Sequence, residues 1–209
     1  MKYYEQFFIR RTHSICAVAL LVAVSLLGDH LVSRNHEKHA FKAIVDNSTH
    51  FLIGGISWLI VCINTTFVLN HSGCLFQILL CGVIASIIDV DHFLSAKSLS
   101  LKDATNLKER PFLHCSTVPV VIFSCVFLFG NFMRSVTWRL NALVILVAFS
   151  SHHIRDATRR GLWFAPFGST SLIPYPVYIA LNCGIPYVIS FILNCAHVRP
   201  TQDQYAYEV

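Results

Sequence analysis

Long apolar runs account for most of this 209-residue chain. Hydrophobic residues make up 55% of the sequence and charged residues only 13%, a balance too apolar for an ordinary soluble domain. A run of about 20 apolar residues can cross the hydrocarbon of a bilayer as an α-helix. The runs cover residues 14–31, 51–69, 73–88, 118–132, 140–151 and 176–196. The sequence therefore predicts a single integral membrane domain over residues 1–209, an all-α polytopic membrane helical bundle of about six transmembrane helices.

Asp and His residues recur at the ends of these runs. Following the chain from run to run places all of them on one membrane face, which we call side A, and Asp29 ends the first run on that side. Ionisable side chains beside membrane spans are costly and are usually functional. We therefore expect one shared site on side A. Its members are Asp46, His50, Asp89, Asp91, His92, His114, His152 and Asp156.

The motif DVDH ends the third run. Asp89 and His92 stand three residues apart and share a helix face, and Asp91 joins them only if the helix has ended. Carboxylate and imidazole ligands together favour zinc or manganese over calcium. A metal site is thus the sharper interpretation, and a polar helix end at the interface is the alternative.

The motif SHHIRD follows the fifth run. His152 and Asp156 are spaced i, i+4, so both side chains can reach one ion from one helix face. His153 and Asp156, spaced i, i+3, are the alternative pair. The motif is weak alone, but it gains weight from DVDH on the same side.

Two further segments contribute candidates on side A. Asp46 and His50 repeat the i, i+4 spacing, although residues 46–49 also suit a helix N-cap. His114 follows Pro111, which favours the start of a helix and directs the first turn inward. We expect His50 and His114 to be metal ligands.

The segment after SHHIRD is basic and then aromatic. Arg155 and Arg159 suit a phosphate group, although anchoring to lipid headgroups explains them equally well. Gly161, Pro166 and Gly168 interrupt any continuing helix. We expect the segment up to residue 171 to fold back over the site.

Charge outside the spans bears on topology rather than on nucleic acid. No basic block with interleaved aromatic residues is present, so the chain lacks the signature of a nucleic-acid-binding protein. Lys and Arg are more numerous on side A, which favours a cytosolic face for the site. Residues 93–110 mix leucines with charges and predict an amphipathic helix at the interface.

The segments DNSTHFLIG, ASIIDVDHFL, RPFLHCSTV and SHHIRDATRRGLWFAPFGSTS closely resemble the eukaryotic family called transmembrane protein 267, across nearly the whole chain. More distantly, the chain is similar to bacterial inner-membrane proteins described as predicted metal-dependent hydrolases, typified by a LexA-regulated member. That resemblance implies metal-binding roles for Asp89, Asp91, His92, His114, His152 and Asp156, with His50 as an early ligand. Glu109 stands where the bacterial pattern has a His.

These features predict a metal-dependent hydrolase that acts on a phosphoester, with membrane lipid as a partner or substrate. One or two zinc or manganese ions would activate water, and an unligated carboxylate, Asp46 or Glu109, would accept its proton. Arg155 or Arg159 would bind the anionic substrate. The alternatives are a non-catalytic protein with a structural ion and a transporter, which is disfavoured because the ionisable residues cluster at one end of the spans.

Overall fold

The computed structural model describes residues 2–34, 39–65 and 71–195, and it is helical apart from one short hairpin. The elements in chain order are α1 (Lys2–Arg34), α2 (His39–Asn64), α3 (His71–Ile87), α4 (Val90–Ala96), α5 (Leu101–Thr105), a 3-10 turn (Phe112–His114), α6 (Thr117–Phe132), α7 (Val136–Arg160), β1 (Trp163–Phe164), β2 (Gly168–Ser169) and α8 (Tyr175–Cys195). Six of these helices have 16 residues or more.

Four helical stretches are long and apolar enough to cross a membrane. They are Phe8–Arg34, His39–Asn64, Ser72–Ala96 and Tyr175–Cys195, and Thr117–Phe132 is a shorter apolar helix. The predicted all-α membrane bundle is confirmed. Residues 66–69 of the second predicted run and residue 196 of the sixth lie outside the described residues.

Helices α2 and α7 form the centre of the bundle. Helix α2 packs against α1, α3, α7 and α8, and α7 packs against α2, α3, α6 and α8. The largest apolar cluster joins Trp58 of α2, Ala85 of α3, Val144 and Val147 of α7 and Ile189 of α8. Because α7 carries SHHIRD at its C-terminal end, its central position places this motif among the ends of its neighbours.

Small residues bring α2 and α3 close together. A Cβ built on Gly54 would lie 2.7 Å from Ala85 Cβ, and one on Gly82 would lie 2.8 Å from the Phe51 carbonyl oxygen. Lipid-embedded helices associate through such close backbone contacts rather than through the hydrophobic effect. This contact holds His50, one turn before Gly54 on α2, beside the end of α3.

The segment after α7 folds back over the end of the bundle, as the sequence predicts. Helix α7 ends at Gly161, whose φ of 70° favours glycine. Strands β1 and β2 then pair in an antiparallel hairpin. The Ser116 N–H donates to the Trp163 carbonyl oxygen at 2.7 Å, which fastens the hairpin to the start of α6.

The structure differs from the sequence interpretation at two places. A single amphipathic helix over 93–110 does not form, because Lys97 ends α4 in the left-handed conformation and α5 begins only at Leu101. Residues 46–49 are not an N-cap either, since α2 begins at His39 and Asp46 lies about two turns inside it. Both differences concern where helices begin and end, which neighbouring contacts decide.

Candidate metal centre

Four ligand atoms converge where α3, the 3-10 turn and α7 meet. They are Asp89 Oδ1, His114 Nε2, His152 Nε2 and Asp156 Oδ2, and these four residues offer atoms within 4.8 Å of one another. His114 Nε2 lies 3.5 Å from Asp89 Oδ1 and 3.5 Å from Asp156 Oδ2. His152 Nε2 lies 3.6 Å from each of the same two oxygens. The two imidazole nitrogens are 3.3 Å apart.

These separations match a metal coordination shell. Tetrahedral bonds of about 2.0–2.2 Å place ligand atoms about 3.4 Å from one another. Two imidazoles and two carboxylates are a donor set that zinc and manganese accept. The convergence of DVDH, His114 and SHHIRD that the sequence predicts is therefore present, with the spacing that a single ion requires.

The orientation of His152 is set by the backbone of α3. His152 is fully buried, and its Nδ1 lies 2.8 Å from the Ala85 carbonyl oxygen. Because a carbonyl only accepts hydrogen bonds, Nδ1 carries the proton and Nε2 presents its lone pair to the cluster. Hydrogen bonding of the second ring nitrogen is how metal-binding histidines are usually oriented. Ala85 precedes Asp89 by one helical turn and belongs to no motif, so the sequence does not predict this contact.

His114 is oriented by Asp91. The His114 Nδ1–H donates to the Asp91 carboxylate, 3.3 Å from Oδ2 and 3.2 Å from Oδ1, and the Leu113 N–H donates to Asp91 Oδ2 at 2.7 Å. Burial opposes protonation of His114, but hydrogen bonds to Asp156, Asp89 and Asp91 outweigh it and raise its pKa to about 11. The site around His114 Nε2 therefore strongly favours positive charge.

Asp91 thus acts on the centre through His114 rather than within the four-atom set. Helix α3 ends at Ile87, so Asp91 turns inward and is buried. His92 lies beside it, with Nδ1 3.3 Å from Asp91 Oδ1 and 3.8 Å from Asp89 Oδ1. Asp91, His92 and His114 also satisfy the spacing of a metal site, but His114 already uses Nδ1 as the donor to Asp91.

His50 lies on the other side of Asp156. Its ring is 1% exposed and stacks on His152 with centroids 3.8 Å apart. His50 Nε2 is 3.5 Å from Asp156 Oδ1. Neither ring nitrogen of His50 has a hydrogen-bond partner among the described residues, and the same holds for Asp156 Oδ1.

Arg155 belongs to an internal ion-pair network. It is 1% exposed, its Nε donates to Asp29 Oδ1 at 2.9 Å, and its Nη2 donates to Asp46 Oδ1 at 2.8 Å. The Tyr175 hydroxyl donates to Asp29 Oδ2 at 3.0 Å, so the network joins α1, α2, α7 and α8. Arg155 has no share in the cavity wall described below. Its place is that of an internal counter-ion, not of a substrate-binding residue.

The two carboxylates predicted to accept a proton differ in position. Asp46 is engaged by guanidinium groups, because Arg159 Nη2 also donates to its Oδ1 at 3.0 Å. A carboxylate held by Arg155 and Arg159 is a poor base, since both favour its charged form. Glu109 is exposed and is not among the described residues that line the cavity. The structure does not bring Glu109 to the cluster.

His153, the alternative partner of Asp156, holds the backbone instead. Its Nε2–H donates to the Leu113 carbonyl oxygen at 2.9 Å, and Ser116 Oγ lies 3.3 Å from its Nδ1. These bonds fix the 3-10 turn that carries His114. The choice between His152 and His153 is therefore settled by which ring faces the cluster.

A cavity of about 530 Å³ adjoins the cluster. Asp89, His114 and Asp156 of the cluster line it together with Asp29 and Asp46, and so does Trp163 of the hairpin. Basic residues also line it, and they are Lys42, Arg110, Arg159 and Arg160. The cavity thus combines a metal-like donor set with a cationic wall, which suits an anionic ligand.

Comparison with known proteins agrees with the membrane architecture. The chain is 41% identical to transmembrane protein 267 of Mus musculus over 182 residues, which are 87% of this chain and 81% of that protein. The chain belongs to the transmembrane protein 267 family. The Bos taurus member is 41% identical over 76% of this chain and 72% of its own length. The Danio rerio member is 37% identical over 90% and 84%.

Other comparisons add no function to the family. No family model matches the chain, and no solved structure matches it. The relatives are named as transmembrane proteins, so this member is an integral membrane protein whose site must be interpreted from its own geometry.

Proposed function

We propose that this protein is a metal-dependent hydrolase of phosphoesters, with one zinc or manganese ion held by Asp89, His114, His152 and Asp156. The observation that carries the proposal is the meeting of two imidazole nitrogens 3.3 Å apart with two carboxylate oxygens 3.5–3.6 Å away. Hydrogen bonds to Ala85 and Asp91 direct both Nε2 atoms inward. Carboxylates that converge with imidazole nitrogens favour a positive charge among them, and a divalent ion supplies one.

The position of the cavity supports catalysis over a purely structural ion. His152 is sealed in the bundle, whereas Asp89, His114 and Asp156 reach the cavity. An ion in this place has one side toward the cavity, and zinc can expand to five ligands during a reaction. When bound, the ion lowers the pKa of a water molecule and polarises a phosphoryl oxygen.

Residues of the cavity wall supply the remaining chemistry. Arg159, whose side chain is 43% exposed, and Arg160 bind the anionic phosphoester. His92 accepts the proton of the attacking water. It lies in the wall of the cavity, and its Nδ1 is 3.3 Å from Asp91 Oδ1. This role replaces Asp46 and Glu109.

The substrate is a phosphoester of the membrane surface. The cluster lies at one end of the membrane helices, and the wall combines cationic residues with Trp163 and Leu162. Aromatic and basic residues together are typical of the membrane interface. A lipid headgroup on the cytosolic leaflet therefore meets the ion without leaving the bilayer. The distant resemblance to bacterial predicted metal-dependent hydrolases agrees with this reaction.

The activity is testable with purified protein in lipid nanodiscs loaded with Zn²⁺ or Mn²⁺. We expect the protein to hydrolyse at least one of three phosphoesters, namely p-nitrophenyl phosphate, bis(p-nitrophenyl) phosphate and short-chain phosphatidic acid. Asp89→Asn should lower the rate about 100-fold or more, because it removes a charged ligand from the ion. His30→Ala, an exposed histidine on α1, is the matched control and should retain the rate. A metal-loaded protein that hydrolyses none of the panel contradicts the proposal and favours a structural ion.

Asp91 should raise the affinity of the site for metal, although it is not one of the four ligands. Asp91→Ala removes the acceptor that orients His114, so Zn²⁺ affinity should fall about 10- to 100-fold, the usual effect of losing such a partner. Competition with a fluorescent zinc chelator measures this change. Asp103→Ala, at an exposed carboxylate of α5, should leave the affinity unchanged. An affinity equal to wild type in Asp91→Ala would show that His114 needs no such partner.

A further inference from the structure

Asp156 presents its two carboxylate oxygens to two different groups of nitrogen atoms. Oδ2 faces His114 and His152 at 3.5 and 3.6 Å, whereas Oδ1 faces His50 Nε2 at 3.5 Å and Arg159 Nη1 at 3.8 Å. Buried polar atoms nearly always have hydrogen-bond partners. Among the described residues, however, Asp156 Oδ1 and both ring nitrogens of His50 are buried without one.

The atoms around His50 form a second ligand set. Asp46, His50 and Asp89 offer one ligand atom each, and these atoms lie within 4.8 Å of one another. Asp156 Oδ1 adds another oxygen on the same side. Asp46 shares its charge with Arg155 and Arg159, so it is a weaker ligand than His50 and Asp89. The donor types are those of the first set, nitrogen and carboxylate oxygen.

The geometry points to a second divalent ion, held by His50 and bridged to the first by Asp156. This inference rests on the first ion of the proposed function. The rings of His50 and His152 stack with centroids 3.8 Å apart and planes inclined by 23°. Ions held by two such rings would lie about as far apart as the rings do, and two-metal hydrolytic centres typically hold their ions about 3.5–4 Å apart.

The charge of the cluster agrees with two ions. Five carboxylates surround the cluster, and two arginines accompany them. Asp29, Asp46 and Asp156 pair with Arg155 or Arg159, whereas the ion-pair partners of Asp89 and Asp91 are histidines. With neutral imidazoles, three negative charges are left over, and one divalent ion leaves one of them. The second ion makes the centre positive by one charge, which attracts a phosphoester. A second ion would also supply a second positive charge for the reacting oxygens of a phosphoryl group.

Metal stoichiometry tests the inference directly. Full-length wild type, His50→Ala, His152→Ala and His30→Ala proteins in nanodiscs are dialysed to equilibrium against Zn²⁺, and bound zinc is counted by mass spectrometry. We expect two ions per chain in wild type and in His30→Ala, and one in His50→Ala. Two ions retained in His50→Ala overturn the assignment of His50.

The outcomes separate this inference from the proposed function. If wild type binds a single ion that is lost in His152→Ala and kept in His50→Ala, that result overturns the second ion and leaves the first in place. No zinc in wild type overturns both.

If His50→Ala fails to fold, a measurement on wild type alone still tests the second ion. Mn²⁺ ions about 3.5–4 Å apart and joined by a carboxylate couple magnetically. The fully loaded wild type should therefore give the electron paramagnetic resonance spectrum of a coupled pair. A spectrum of isolated Mn²⁺ at full loading overturns the second ion.

Discussion

His152→Ala should lower Zn²⁺ affinity about 100-fold or more. Structural zinc sites bind with about 10–16 kcal/mol, so one of four ligands contributes about 3 kcal/mol, which corresponds to about 100-fold in affinity. The variant also opens a cavity beside His50 and leaves the α3 carbonyl of Ala85 without its donor. Competition with a zinc chelator gives the affinity, and elemental analysis at matched purity gives the bound metal.

The matched control is His30→Ala. His30 is an exposed histidine on α1, next to Asp29, so the variant removes the same group from the same end of the bundle. It should bind zinc as wild type does. Equal metal content in wild type, His152→Ala and His30→Ala would show that the cluster is only a polar belt at the interface, and the hydrolase proposal would then be abandoned.

Arg155→Met should destabilise the protein by about 3–5 kcal/mol, the usual cost of removing one partner from a buried ion pair. The Arg155 guanidinium contacts both Asp29 and Asp46, and among the described residues removing it leaves Asp29 without a cationic partner and Asp46 with Arg159 alone. Thermal unfolding in detergent should shift downward by on the order of 10 °C. Arg155→Lys should recover only part of the loss, because a single ammonium cannot donate to two carboxylates in a fork.

Two further variants distinguish charge from packing. Arg160→Met removes an exposed arginine from the same helix and should change stability by less than about 0.5 kcal/mol. Adding Asp29→Asn to Arg155→Met removes the uncompensated charge of Asp29 and should restore part of the stability. A double variant as unstable as Arg155→Met would mean that lost packing, not charge, dominates.

Spacing and span order were sufficient to predict which motifs meet. His152 and Asp156 share a helix face at i, i+4, and they do point to one cluster. DVDH and His114 lie at the predicted end of their spans and join them. Spacing worked because a helix repeats every 3.6 residues, and span order worked because consecutive apolar runs alternate direction across a membrane.

The roles within the cluster did not follow from spacing. Asp91 and Arg155 looked like a ligand and a substrate-binding residue, yet Asp91 orients His114 and Arg155 is a buried counter-ion. Tyr175 and Ala85 carry no motif, although both contact the network. A role depends on which atoms lie within about 3 Å, and residues far apart in the chain supply those atoms.

By itself the sequence determined the membrane class, the helical architecture, the family and the set of Asp and His residues gathered on side A. Local hydropathy and helical periodicity are properties of short segments, so they can be read along the chain. Only the tertiary structure decided that His152 rather than His153 faces the centre, that Glu109 stays outside it, and that His50 lies across Asp156 from His114. Those choices depend on the rotation and close approach of α2, α3 and α7, and the contacts of Gly54 and Gly82 set the approach of α2 to α3.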